Sequence, residues 1–508
     1  MLSEIHPSLL VHKKITYLNM ESCASLITLP NQIHMESLEE LSLSFCYKLE
    51  KFPEIIGSMD CLYSLYLDST VIKVLPISIE LLSGLEYFSL KYCENLVSLP
   101  VTINGLKSLQ LFILSGCSKL NNLPETLGQL EKLDELDLSG TAIRQSMASI
   151  SLMKNLTELD FSGCKVHSKV QLPTLSGFYG SLTRLNLVDC NMEEGDIPND
   201  FFDSFSSLTW LGLSKNNFVS LPGSINHLSK LEFLLLDGCK RLRSLPELPS
   251  NVISIYVDDC VALETTSNAL RLCYSTLSEF SCLNCLKLIC CNNLASSMPK
   301  EFLKAMAKPK ERLRFEPINQ FGMVIPGGEI PEWFQHQSET SSIKIERPLD
   351  SCDNKMVGYA VCCVFYVHES QCIALLRISC RVTSIVFANE PAIYFEDNCR
   401  KTMSDHLWLF YISAKELNQD FIELSFAQNY PGLELKKCGI HPVYKKELKE
   451  LKPRAKKSSS SSFWNSYELD EDFLGSTADV DYDGVEDEDE SYFSADDELP
   501  KPKRLRSS

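Results

Sequence analysis

One stretch of this chain has residue types and spacing that could hold a metal ion: Cys282-x2-Cys285-x4-Cys290-Cys291. A thiol pair binds zinc when a second pair, or histidines, complete the tetrahedron. No histidine or second C-x-x-C lies nearby, and Leu283, Leu286, Leu288 and Ile289 make the segment apolar, so it reads as a packed connector. The nine histidines are scattered, and His336 and His441 stand singly. No G-x-S-x-G or H-E-x-x-H occurs to place a nucleophile or a catalytic zinc. No G-x-x-x-x-G-K-[ST] occurs to cradle a nucleotide phosphate. The residues therefore imply no catalytic centre, no cofactor and no metal, which leaves recognition as the chemistry to look for.

Recognition has candidates. Tyr17, Tyr66, Tyr87, Trp210, Phe233 and Tyr256 recur where an alternating segment turns side chains outward, with Phe45 and Tyr92 at segment ends. Glu135, Asp137, Glu158 and Asp160 form an acidic patch among them, with Arg184 beside it. A solvated sheet face would also carry aromatics, through β-propensity alone. Exposed tyrosine and tryptophan are nevertheless enriched as interface anchors, which favours a protein-binding surface.

The elements that must position these residues are repeats. Leu85–Leu106 reads LEYFSLKYCENLVSLPVTINGL, and the next unit repeats its apolar positions at Leu109, Phe112, Leu114, Cys117, Leu120, Leu123, Leu127 and Leu130. Eleven units begin at Ile15, Leu38, Leu62, Leu85, Leu109, Leu133, Leu156, Leu182, Leu208, Leu231 and Val252, spaced 21 to 26 residues apart. This is the leucine-rich-repeat pattern, and it predicts an α/β solenoid with a parallel sheet on its concave face. The L-x-L core alternates as a strand does, inward and outward. Leu-Pro pairs such as Leu75-Pro76 and Leu99-Pro100 end each strand's regular pairing and predict a short-helical convex side. Units seven and eight are longer, and Gly163–Gly180 and Glu193–Phe205 are expected to bulge as loops.

Eight of the 21 cysteines (Cys23, Cys46, Cys93, Cys117, Cys164, Cys190, Cys239 and Cys260) share one slot of the repeat, filled elsewhere by Thr70, Thr141 and Asn216. That substitution pattern describes a small group bonding to nearby backbone, and buried thiols suit a reducing compartment. The start MLSEIHPSLL has no apolar h-region, and no run of about 18 apolar residues exists, so an intracellular protein with no membrane partner is expected. Of the net charge of −19, residues 458–500 alone supply −15. The remaining acidity argues against a nucleic-acid partner.

In chain order, residues 1–263 are the solenoid, and residues 1–14 read as the later half of a unit whose strand lies upstream, as if Met1 truncates a longer array. Residues 264–314 form a connector and cap, with a helix expected at Met298–Ala307. Residues 315–451 are β-rich, with strands expected at Gly322–Ile325, Ser342–Ile345, Val357–Val367, Leu375–Val386, Leu407–Ile412 and Ile422–Ala427, best buried as an all-β sandwich. Residues 452–508 form a disordered acidic tail flanked by the basic runs KPRAKK and KPKRLR, which serve either nuclear import or charge balance.

The repeats with Cys or Thr at the ladder slot, as in LKSLQLFILSGCSKLNNLPETLGQLEKLDELDLSGTAIRQ, resemble those of plant TIR-class nucleotide-binding leucine-rich-repeat immune receptors. The segment FGMVIPGGEIPEWFQHQSETSSIKIERP, followed in order by GYAVCCVFYV, HLWLFYIS and LKKCGIHPVYKKELKEL, resembles the jelly-roll-like C-JID domain that follows the repeats in that family. Its matching motif residues are Ile330, Pro331, Glu332, Trp333 and Phe334, of which Trp333 and Phe334 are expected to pack structurally. The resemblance implies recognition of a protein ligand, a pathogen effector, by repeats and C-JID together, with other receptor domains or chains as further partners; the reducing setting read from the cysteines places this in the cytoplasm, and the basic runs, if import signals, in the nucleus too. The family's TIR domain, which consumes NAD, and its nucleotide switch have no residues here. An NAD-consuming enzyme therefore requires an upstream segment. An extracellular repeat receptor would instead favour Asn in the ladder, paired Cys caps and a repeated G-x-I-P; only Gly195-Asp196-Ile197-Pro198 echoes that signature.

Overall fold

The computed structural model describes residues 3–143, 150, 152–164, 180–266, 277, 279–291, 322–347, 355–368, 376–382, 391–395, 402–414 and 421–450. The expected loop within Gly163–Gly180, the helix at Met298–Ala307 and the tail from 452 fall largely or wholly outside these residues.

Each repeat contributes one three-residue strand, and neighbouring strands pair in parallel from Tyr17–Asn19 through Ser254–Tyr256. The middle residue of every strand points into the solenoid; Leu65, Phe88, Phe112, Leu185 and Leu234 are fully buried. Pro76, Pro100, Pro124 and Pro222 each precede a 3-10 turn, with φ between −63° and −67°. That angle is built into the proline ring and suits the first turn, where no donor is needed. The apolar residue three positions on (Ile79, Ile103, Leu127 and Ile225) fills the core. Of the longer units, Phe201–Ser204 forms a 3-10 turn, with Phe201, Phe202 and Phe205 packed inward.

The cysteine slot forms a side-chain ladder. Cys93, Cys117, Cys164 and Cys260 Sγ donate to the carbonyls of Leu67, Leu90, Leu138 and Leu236, one repeat upstream, at 3.1–3.2 Å. Thr70 and Thr141 join the chain of contacts at 3.3 and 3.2 Å from the next thiol. Asn216 does more: its Oδ1 accepts from Cys190 N and Met192 N (3.2 and 3.0 Å), and its Nδ2 donates to Leu187 O and Leu213 O (both 2.8 Å). Asn216→Ala should therefore cost about 3 kcal/mol, because it strands several buried backbone groups, whereas Cys117→Ala, which breaks one weak bond, should cost about 1 kcal/mol. Urea unfolding of the two variants checks the order; a smaller loss for Asn216 would contradict it.

A twelfth ladder strand, Glu279–Ser281, lies inside the stretch read as a connector. Leu277, Phe280, Cys282 and Cys285 occupy the repeat's apolar and ladder slots, and Cys285 Sγ donates to Val257 O at 3.0 Å. The spacing that imitates a zinc pair is repeat geometry. Among the described residues no cluster of His, Cys, Asp and Glu could hold a metal ion.

The sheet does not stop there. Gly322–Pro326 pairs in parallel with Glu279–Ser281 on one side and antiparallel with His406–Ser413 on the other. His406–Ser413 then pairs with Met356–Val367, which pairs with Leu433–Tyr444, which pairs with His336–Ser338. A second sheet holds Ser342–Glu346, Phe421–Gln428, Leu376–Val382 and Ala392–Phe395. Met356–Val367 is buried on both faces, as its unbroken apolar run predicts. Ala360, Cys362 and Val364 join the core continuous with the solenoid, while Tyr359, Val361, Cys363 and Phe365 face the sandwich interior. Leu433–Tyr444 is a long strand despite Pro442, because its neighbour His336–Ser338 reaches only Cys438–Ile440, so the proline faces a strand on one side alone.

Candidate recognition face

Two outward columns run along the solenoid sheet. Register places Tyr87 beside Leu111, then Glu135, Glu158, Arg184, Trp210 and Phe233. The second column carries Tyr66, Ile113, Asp137, Asp160, Asn186, Gly212, Leu235 and Tyr256.

At the amino side, Tyr66 and Tyr87 meet diagonally across two strands, with ring centroids 5.0 Å apart. Burial, then neighbouring Tyr66 and Asp68, pushes the Tyr87 hydroxyl up to about 12. It stays a neutral donor at any physiological pH. Tyr17 is exposed at the first strand, its hydroxyl accepting from Asn19 Nδ2 at 3.1 Å. Phe45 and Tyr92 sit at the strand exits with φ of 62° and 58°, where Gly116, Gly140, Gly163 and Gly238 stand in other repeats. A left-handed conformation costs a non-glycine residue about 1 kcal/mol, so these two exposed rings are held there against local preference.

At the centre, Trp210 is set by its surroundings. A Cβ on Gly212 would lie 2.7 Å from the indole, so only glycine lets the ring lie flat along its own strand. The Arg184 guanidinium stacks over that ring at 4.8 Å, and its Nε reaches Glu158 Oε2 at 3.4 Å. The four acidic residues have separate roles. Asp137 and Asp160 accept the backbone N–H two residues on, from Ser139 (2.9 Å) and Ser162 (2.7 Å), so they shape the strand exits. Asp160 also accepts from Asn186 at 2.8 Å. Glu135 makes no such bond. Burial, then Glu158 and Asp134, raises its carboxyl, with Arg184 opposing.

At the carboxy side, the Tyr256 hydroxyl donates to Glu279 at 2.5 Å, and burial raises both groups. Val324, paired with Ser281 on the outward side, belongs to the sandwich core with Ile422, Leu424 and Phe426. The second sheet is therefore stacked on the side of the shared sheet that continues the concave face, and it walls that face at its end.

The motif residues lie on the opposite side. Ile330, Pro331 and Phe334 are buried, Trp333 is half-buried and Glu332 is exposed. A Cβ at Gly439 would come within 3.1 Å of both Ile330 and Phe334, so the motif lies directly on the backbone of the central sheet. Trp333 packs edge-on against His441 at 5.2 Å. Sequence reasoning missed the junction contacts of Asn284 and His406. Asn284 N–H donates to His406 Nε2 (2.9 Å), and Asn284 Oδ1 accepts from Met403 N (2.8 Å). The one signal that could have found Asn284 is its place beside Cys285, in the slot that is glycine in four other repeats.

Comparison with known proteins gives three family matches: C-JID domain over residues 325–449, RPS4B-like disease resistance leucine-rich repeats over 34–122, and leucine rich repeat over 180–240. Repeats and C-JID are non-catalytic modules. TMV resistance protein N of Nicotiana glutinosa is 35% identical over 370 residues, which cover 71% of this chain and 31% of that protein. Disease resistance-like protein DSC1 and disease resistance protein RPP2B, both of Arabidopsis thaliana, are each 34% identical, over 80% and 74% of this chain and 29% and 32% of their own lengths. The chain thus spans about a third of the length of the curated relatives it matches.

Proposed function

Because this chain carries the leucine-rich-repeat plus C-JID region of plant TIR-NBS-LRR disease resistance proteins, we propose that it is a non-enzymatic recognition module. Its ligand is a protein, a pathogen effector, held by the concave face together with the C-JID wall. The observation that carries this reading is the single sheet running from Tyr17 to the sandwich, with outward Tyr66, Tyr87, Trp210 and Phe233 leading toward that wall. Large rings half-buried on a rigid sheet lose little entropy on binding and are the usual hot spots. Any NAD hydrolysis belongs to a TIR domain of a longer protein. The module works in the cytoplasm, where its buried thiols stay reduced. No helix among the described residues is long and apolar enough to cross a membrane.

The test is binding of candidate effectors to the whole chain, measured by biolayer interferometry. Tyr87→Ala, Trp210→Ala and Phe233→Ala combined should weaken a true ligand at least about a hundred-fold, with the circular dichroism spectrum unchanged. A ligand that binds the triple variant as well as the parent would sink the concave face as the site.

A further inference from the structure

Recognition by this face, if it takes the form proposed above, has a charge requirement. The two outward columns of the twelve ladder strands carry six carboxylates and one cation, Arg184. That cation is already engaged, paired with Glu158 and stacked on Trp210. Asp137 and Asp160 are used in the strand exits, and Asp134 accepts the Thr157 hydroxyl at 2.6 Å. Glu279 accepts the Tyr256 hydroxyl, which leaves Glu40 and Glu135; Glu40 lies between Tyr17 and Ser64, so Glu135 is the one of the two that faces another carboxylate. It stands directly across from Glu158 in register, and like charges so placed destabilise a sheet. Among the described residues it has neither a hydrogen bond nor an ion pair, and burial with neighbouring Glu158 and Asp134 outweighs the longer-range attraction of Arg184. Its other neighbour is the half-exposed aliphatic rung of Leu111 and Ile113.

We propose that the protein ligand is basic where it crosses the middle of the ladder, and that one of its Lys or Arg side chains lays its stem on Leu111 and Ile113 and its head against Glu135. Long cationic side chains combine an apolar stem with a charged tip, and the sequence of rungs, aliphatic and then acidic, matches that order. The Arg184–Trp210 stack on the far side of Glu158 offers a flat platform to the ligand's neighbouring apolar residues. Such complementarity acts on encounter rate and on partner choice as well as on affinity.

The experiment selects displayed random peptides on the immobilised full chain and measures the enriched peptides individually against three chains: parent, Glu135→Gln and the Tyr87→Ala/Trp210→Ala/Phe233→Ala variant. The expected peptides carry Lys or Arg flanked by apolar residues, lose about ten-fold in affinity to Glu135→Gln, and weaken as salt rises. Glu135→Gln removes a charge that makes no hydrogen bond or ion pair, and an unchanged circular dichroism spectrum checks its folding. Peptides without a cation, or indifferent to Glu135→Gln yet lost in the aromatic variant, would overturn the charge requirement and leave the recognition face standing. Peptides that bind all three chains equally are held elsewhere, for instance by the acidic segment at 458–500, and their exclusive recovery would overturn both readings.

Discussion

Phe112→Ala is expected to remove about 3–5 kcal/mol from the unfolding free energy and to separate the unfolding of the ladder's amino side from that of its carboxy side. Phe112 and Phe88 are fully buried at the middle of adjacent strands and stack with centroids 5.2 Å apart. In most other repeats the same position holds leucine, so removing one of the two stacked rings leaves a large cavity at this rung. A solenoid is held by nearest-neighbour interfaces, so a cavity at one rung weakens the coupling between the two halves as well as the total. The four tryptophans make this measurable, because all lie at Trp210 or beyond. Under urea, far-ultraviolet circular dichroism reads the whole ladder and tryptophan fluorescence reads its carboxy side. The dichroism midpoint should fall further than the fluorescence midpoint in Phe112→Ala. Equal shifts by both probes would mean that the solenoid and the C-JID unfold as one unit through the defect.

The second large effect depends on pH and resides in His406. This imidazole is completely buried at the junction, accepts the Asn284 N–H at Nε2 and donates from Nδ1 to Ser404 O at 2.8 Å. The Nε2 contact requires the neutral ring, and burial brings the pKa down to about 4 against the Ser404 hydrogen bond, which favours the charged form. An unfolded histidine titrates near 6.5. Between those values the unfolded chain binds the extra proton, so this contribution is complete above about pH 6.5 and is lost as the pH falls toward 4. The difference is worth about 3 kcal/mol. Buried carboxyls such as Asp258 and Glu279, raised by burial, slope the other way. The effect must therefore be read as a difference. His406→Gln keeps an acceptor near Nε2 without titrating, and the stability advantage of the parent over this variant should shrink by about 3 kcal/mol from pH 7 to pH 4. A constant difference across that window would rule out a neutral, strongly perturbed His406.

Much of the fold was legible because the repeat writes the same packing problem many times. Leucine spacing located the strands, and the exchange of Cys with Thr and Asn identified a slot that must bond to backbone. Where one unit departs in spelling, legibility drops. LSEFSCLNC places Phe280 and Cys282 where leucines usually stand, so the twelfth rung reads as a packed connector and not as a repeat. Leu433–Tyr444 went unread as a strand because Pro442 and Gly439 argue against one. Both are tolerated only because a short neighbour ends early and the Ile330–Phe334 motif presses on the glycine.

The sequence by itself determined which residues face outward, since period-two alternation admits one answer once the leucines are inside. It could not say which of those outward groups are free. Asp137 and Glu135 each stand opposite a like charge in register, yet Asp137 is bonded to the turn beyond it and Glu135 is not; only the folded geometry of the strand exit decides that. Nor could it place the sandwich, because the pairing of Glu279–Ser281 with Gly322–Pro326 joins strands some forty residues apart. That junction, fixed by Asn284 and His406, turns a repeat array and a separate β domain into one continuous face. It depends on tertiary hydrogen bonds between segments more than a hundred residues apart, which no local pattern encodes.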